Sequence, residues 1–107
     1  MDGLHIAEEN RAGWQVVTLE GRIDSVTSDG LEAALCAAVA AHPQVAVNCA
    51  AVDYISSMGL RALLKAGRAA QAAKREFLIC SPSKRVKDVF EISRMHQVLA
   101  VREALPC

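Results

Sequence analysis

A chain of 107 residues, 52% hydrophobic and 22% charged, has apolar surface for one core, so residues 1–107 read as a single compact domain. Twelve basic residues balance twelve acidic ones. No overall positive field is left to draw in nucleic acid or an anionic membrane, and any partner must be chosen by a local patch. No stretch approaches the roughly 18 apolar residues of a membrane span, and Met1-Asp2-Gly3-Leu4 lacks the basic start and apolar run of a signal peptide, so a cytoplasmic protein without membrane insertion is expected.

In chain order, Leu4–Asn10 reads as a strand, Arg11-Ala12-Gly13 as a turn and Trp14–Glu20 as a second strand, together an antiparallel hairpin. Trp14, the sole tryptophan, is placed to cover the edge of the core. Gly21–Ser25 leads into a helix whose apolar stripe is Leu31, Ala34, Leu35, Ala38 and Val39, with Asp24 or Ser25 available as N-cap and His42-Pro43 as its end. Val45–Cys49 alternates as a half-buried strand does. A helix then runs from about Ser57 to Ala73, Glu76–Cys80 is an apolar run suited to a strand covered on both faces, and Ser81-Pro82-Ser83 turns into and caps a further helix with Val86, Val89 and Phe90 inward. The chain breaks at Arg94-Met95-His96. Gln97–Val101 gives a last strand, and Arg102–Cys107 can begin a short terminal helix. Two strands followed by alternating helix and strand imply an α/β fold, with helices on a mixed sheet of about five strands.

The segment Ala51–Leu64 organises the rest, because period 2 gives way to period 3.6 close to Ser56 and Ser57. A serine hydroxyl there can accept from an unpaired N–H of the first helical turn, worth about 1 kcal/mol. The same N–H groups and the helix dipole also tolerate an anion, so a phosphate of roughly −1.5 to −2 charge would not oppose the helix. Both uses are open to these serines. Gly59 and Gly67 each cost up to about 1 kcal/mol inside a helix relative to alanine, which close approach of another backbone or partner explains. For Gly59 the neighbouring serines favour a partner, and for Gly67 the favoured reason is packing on the sheet. Arg61, Lys65, Arg68 and Lys74-Arg75 form a charged outer face, with Arg61, one turn from Ser57, also able to meet a partner or hold a phosphate.

Tyr54-Ile55-Ser56-Ser57-Met58-Gly59-Leu60-Arg61 resembles the signature segment of STAS domains, the fold of bacterial anti-sigma factor antagonists: an aromatic, an aliphatic, Asp or Ser, Ser, a small residue, Gly, Leu. Leu19-Glu20-Gly21-Arg22-Ile23-Asp24 resembles the family's turn after the second strand, and Cys80–Ser93 its last strand-to-helix crossing. The three fall in order and span nearly the whole chain. The resemblance implies phosphorylation at Ser57, with Ser56 as the alternative, and a partner-binding surface of Asp24, Ser25, Ile55, Ser56, Met58, Gly59 and Arg61. Asp24 would shape that surface or orient the Ser57 hydroxyl. Ser56 stands where many members have Asp, Met58 is bulkier than usual, and Lys74-Arg75 replaces a frequent Gly-Gly turn.

The implied function is a partner switch. The unphosphorylated domain binds an ATPase-fold serine kinase that acts as anti-sigma factor and frees its client; phosphorylation of Ser57 ends binding, and a serine phosphatase restores it. Two other readings use the same segment: a constitutive STAS subunit of a transporter or lipid-transport complex, and a sensor of nucleotides or small anions at the helix N-terminus. Catalysis is not expected. G-x-x-x-x-G-K-[S/T], G-x-G-x-x-G and G-x-S-x-G elements are missing, and Ser57 has no candidate base. His5, His42 and His96 stand apart, and Cys36, Cys49, Cys80 and Cys107 form no C-x-x-C pair, so reduced thiols, no metal and no cofactor are expected, with Cys107 exposed.

Overall fold

In the computed structural model, which describes residues 3–104, five strands and three α-helices form a mixed sheet with helices packed against it. The strands are β1 (Leu4–Arg11), β2 (Trp14–Ile23), β3 (Gln44–Ile55), β4 (Glu76–Cys80) and β5 (Ala100–Arg102); the helices are α1 (Ser28–Ala41), α2 (Ser57–Ala72) and α3 (Lys84–Ser93). Strand order follows the chain, β1-β2-β3-β4-β5. β1 is antiparallel to β2, as a two-residue connection through Ala12 and Gly13 at positive φ allows, and every later pairing is parallel.

Alternation along the strands sorts the core. Val17 and Leu19 of β2, Val45, Val47 and Cys49 of β3, and Ile79 of β4 join the inner faces of the helices, among them Leu31, Leu35, Leu63, Ala66, Val86 and Phe90. Each fully buried large side chain contributes roughly 1.5–3 kcal/mol relative to exposure. The opposite parity gives a smaller cluster of Ala46, Leu78 and Cys80, on which the half-buried Trp14 packs. Burial pushes the Cys49 thiol up to about 12 and that of Cys80 to about 11, so both are inert at neutral pH.

Several boundaries differ from the sequence reading. β2 continues three residues past Glu20 through Gly21, whose φ of +115° suits only glycine and whose absent Cβ leaves room for Gly3 O. β3 runs on to Ile55 because it carries two extra residues against β2, between Thr18/Glu20 and Gly21/Arg22; the Asn48 carboxamide accepts from the Ala50 N–H at 3.1 Å within the first irregularity. α1 begins only at Ser28, with Thr27 at its N-cap position instead of Asp24 or Ser25. At the far end a single 3₁₀ turn (Met95–Gln97) takes the place of the start of the last strand, leaving β5 three residues long. Glu103 and Ala104 form a bend where a helix was expected to begin. The rest of that expected helix, with Cys107, lies outside the described residues.

The remaining elements fall where periodicity places them. β4 matches residue for residue, and α2 ends one residue early. Ser83 caps α3 as expected, accepting from Val86 N–H at 3.3 Å, and its hydroxyl also donates to Val52 O at 2.7 Å, fastening α3 to β3. Gly67 lacks a Cβ that would stand 3.5 Å from Phe77 Cδ2 of β4, on the sheet as expected, but its tightest neighbour, at 2.6 Å, would be Leu99 Cδ2 in the segment before β5.

Candidate functional site

The site is built where β3 ends. Ile55 lies in register with Ile23 of β2, and the Ser56 N–H donates to Ile23 O at 2.8 Å, so the β2–α1 turn sits directly beside the start of α2. The two serines then divide their roles. Ser56 has extended backbone (φ −94°, ψ 175°) and its Oγ accepts from the Gly59 N–H at 3.2 Å, making it the N-cap of α2. Ser57, the first helical residue, is exposed, and its hydroxyl makes no hydrogen bond among the described residues. No acidic side chain occupies the first turn of α2, so the positive end of that helix is uncompensated.

Around Ser57 the candidate residues separate into surface and support. Met58 is 41% exposed, and Arg61 is exposed without an ion-pair partner among the described residues. Ile55 and Gly59, expected on the contact surface, are buried instead. A Cβ on Gly59 would stand 2.5 Å from Ile23 Cγ2 and 2.9 Å from Ile55 Cγ1. The glycine therefore makes room for this chain's own isoleucines, not for a partner, and the pair holds the serines from beneath.

Asp24 closes its own turn. Its Oδ1 accepts from the N–H groups of Val26 (2.9 Å) and Thr27 (3.0 Å), while Thr27 Oγ1 accepts from the Asp24 N–H (3.0 Å) and donates to Arg22 O (2.9 Å). The bond from the Thr27 N–H is the main reason that its carboxyl titrates below the ordinary range. Asp24 thus shapes the loop but makes no hydrogen bond to Ser57, so the expectation that it orients the Ser57 hydroxyl is replaced by this one. Ser25 is exposed on the same loop, next to Val26, which is 85% exposed. Sequence reasoning overlooked Val26; its signal is an apolar residue two places after an aspartate that anchors a turn. It also overlooked Arg22, whose guanidinium stands 4.2 Å from the Tyr54 ring centroid and 3.8 Å from Asp24 Oδ2.

These groups are exposed on two adjoining segments, Ser25 and Val26 on the turn after β2 and Ser57 and Met58 in the first turn of α2. They supply no general base for the Ser57 hydroxyl, since the Asp24 carboxylate is engaged by its own loop.

A family model described as "STAS domain" matches residues 5–105. Over 90 residues, 83% of this chain and 78% of the relative, the sequence is 32% identical to BtrV of Bordetella bronchiseptica, which bears the name of an anti-sigma factor antagonist. An anti-sigma factor antagonist from Mycobacterium paratuberculosis superposes with a TM-score of 0.88 at 24% identity, covering 97% of this chain and 89% of that one. The antagonist SpoIIAA in its unphosphorylated form gives 0.74 at 19% identity over 91% of this chain and 87% of its own. The phosphorylated form of Bacillus SpoIIAA gives 0.70 at the same identity, over 91% and 90%. At these identities the solved structures speak for the fold alone.

Proposed function

Since the chain belongs to the STAS domain family, we propose that it is an anti-sigma factor antagonist and that Ser57 is the residue whose phosphorylation switches it. Unphosphorylated, it binds an ATPase-fold serine kinase that doubles as an anti-sigma factor and so frees the client; phosphorylated, it lets go, and a serine phosphatase resets it. The observation that carries this reading is the division of labour at the α2 start. Ser56 is already committed as the cap, whereas Ser57 offers an exposed hydroxyl with no structural duty. The antagonist name of BtrV supports the class of partner, and the fold is one that SpoIIAA holds in both its unphosphorylated and its phosphorylated form.

The release step follows from desolvation. A partner seated on Ser57 covers Val26 and Met58 as well, both apolar and exposed. A phosphate dianion under such a lid loses its water, at a cost a small apolar contact does not recover. In the free domain the same dianion stays hydrated, beside the uncompensated positive end of α2 and one helical turn from Arg61. Incubation with the cognate kinase and ATP should add one phosphate, mapped to Ser57 by mass spectrometry, and Ser57→Ala should abolish it. Ser57→Asp should weaken kinase binding in calorimetry. A phosphate found elsewhere, or a modified domain that binds as tightly as the bare one, overturns the reading.

A further inference from the structure

At the other end of α2 lies a groove that the switch does not use. It encloses about 320 Å³ between the last turns of α2 and the segment that joins the 3₁₀ turn to β5. Part of its lining is apolar, Leu64 and Gly67 of α2, Phe77 of β4, and Leu99, with Val98 60% exposed beside them, and part, Gln71 included, is polar. Two arginines, Arg68 and Arg75, line it too. Neither has an acidic partner among the described residues, whereas Lys65 pairs with Glu32 at 3.5 Å, Lys84 with Asp88 at 3.4 Å and Lys87 with Glu103 at 2.8 Å. Arg75 is held there by an uncommon turn. Lys74 adopts φ +59°, a conformation that favours glycine, and the Arg75 N–H folds back to donate to Ala70 O at 2.8 Å.

A cavity lined in part by apolar side chains and in part by two arginines without acidic partners among the described residues suits an anion with an apolar body. The forked donors of arginine fit a carboxylate, and the lining takes a tail out of water. A bare inorganic anion would leave the lining unused, and a neutral apolar molecule would leave the cations uncompensated. The volume lies at the low end of small-molecule sites. We propose that this groove binds a small monocarboxylate with a short apolar tail, its head group between Arg68 and Arg75 and its tail on Phe77 and Leu99. Arg68 is eleven residues along α2 from Ser57, about 16 Å at helical rise, so the site is separate from the switch and does not depend on it.

The test is a ¹H–¹⁵N NMR titration of the whole chain with acetate, butyrate, hexanoate and octanoate as probes. Saturable shifts should cluster on Leu64–Gln71, Phe77 and Val98–Ala100. Affinity should rise roughly two- to fourfold per added methylene, the upper figure being full burial of a CH₂, with acetate not reaching saturation. Arg68→Gln combined with Arg75→Gln should weaken octanoate binding by more than about tenfold, since charge-assisted hydrogen bonds are lost. Arg68→Gln alone, at an exposed helix position, gives the same direction should the double variant melt early. Shifts scattered over the surface, affinity indifferent to tail length, or octanoate binding undiminished in the arginine variants would overturn the proposal.

Discussion

Replacing Ser56 and Ser57 by alanine, one at a time, separates the cap from the modifiable hydroxyl. Ser56→Ala removes the acceptor of the part-buried Gly59 N–H, and loss of an N-cap serine costs about 1 kcal/mol, within a range of roughly 0.5–2. For 107 residues the unfolding entropy is about 0.22 kcal/mol per kelvin, so the midpoint should fall by about 4–5 °C. Ser57→Ala deletes a hydroxyl that bonds to nothing described and places a better helix former in an exposed first turn, so its effect should stay within about 0.5 kcal/mol, or about 2 °C. Ser57→Asp should be neutral or stabilising by about 0.3–1 kcal/mol, because it puts a negative charge into a first turn that has none. Thermal denaturation followed by far-UV circular dichroism, with the four proteins in one buffer, reads all three. If Ser57→Ala lowers the midpoint as much as Ser56→Ala, or Ser56→Ala leaves it unmoved, the assignment of the two roles is wrong.

Three other substitutions probe the surroundings. Gly59→Ala forces a methyl to within 2.5 Å of Ile23 Cγ2, and overpacking of this kind costs about 1–3 kcal/mol, which matches or exceeds the helix-propensity gain of up to about 1; a raised midpoint in denaturant would contradict it. Ser28 Oγ is buried with no hydrogen-bond partner, so Ser28→Ala should stabilise the domain by up to roughly 1–3 kcal/mol, and a loss on urea denaturation would argue against that. Because the folded-state pKa of Asp24 lies below its ordinary 3.8, its contribution is present in full above that value and disappears as pH falls through the lower folded-state value. Asp24→Asn should therefore destabilise at neutral pH and converge with the parent in acid, and melting curves that differ equally at every pH would refute the link.

Local chemistry was legible where neighbours in sequence decide the structure. Glu76–Cys80 and the start of α2 follow from an apolar run and a change of period, and Ser83 from a serine ahead of an apolar stripe. The misses come from longer-range causes. The pattern of β3 is broken at Ala50 and Ala51, both exposed, where the first of its two extra residues against β2 occurs, so alternation alone stops the strand at Cys49. The burial of Gly59 and Ile55 depends on Ile23 arriving from β2, a contact that no local spacing announces. The cap of α1 was misplaced because Asp24 spends its carboxylate on a turn that comes first. Resemblance located the serine pair, but only the coordinates separate the anchored hydroxyl from the spare one.

The bond from Ser56 to Ile23, together with the isoleucines wedged against Gly59, gives the serine pair a stiff mounting on the sheet. Under the proposed switch, a phosphoryl group on Ser57 would sit on that mounting as an added charge. Its message would then be a change of sign on that surface, with a tempo set by the enzymes that add and remove it.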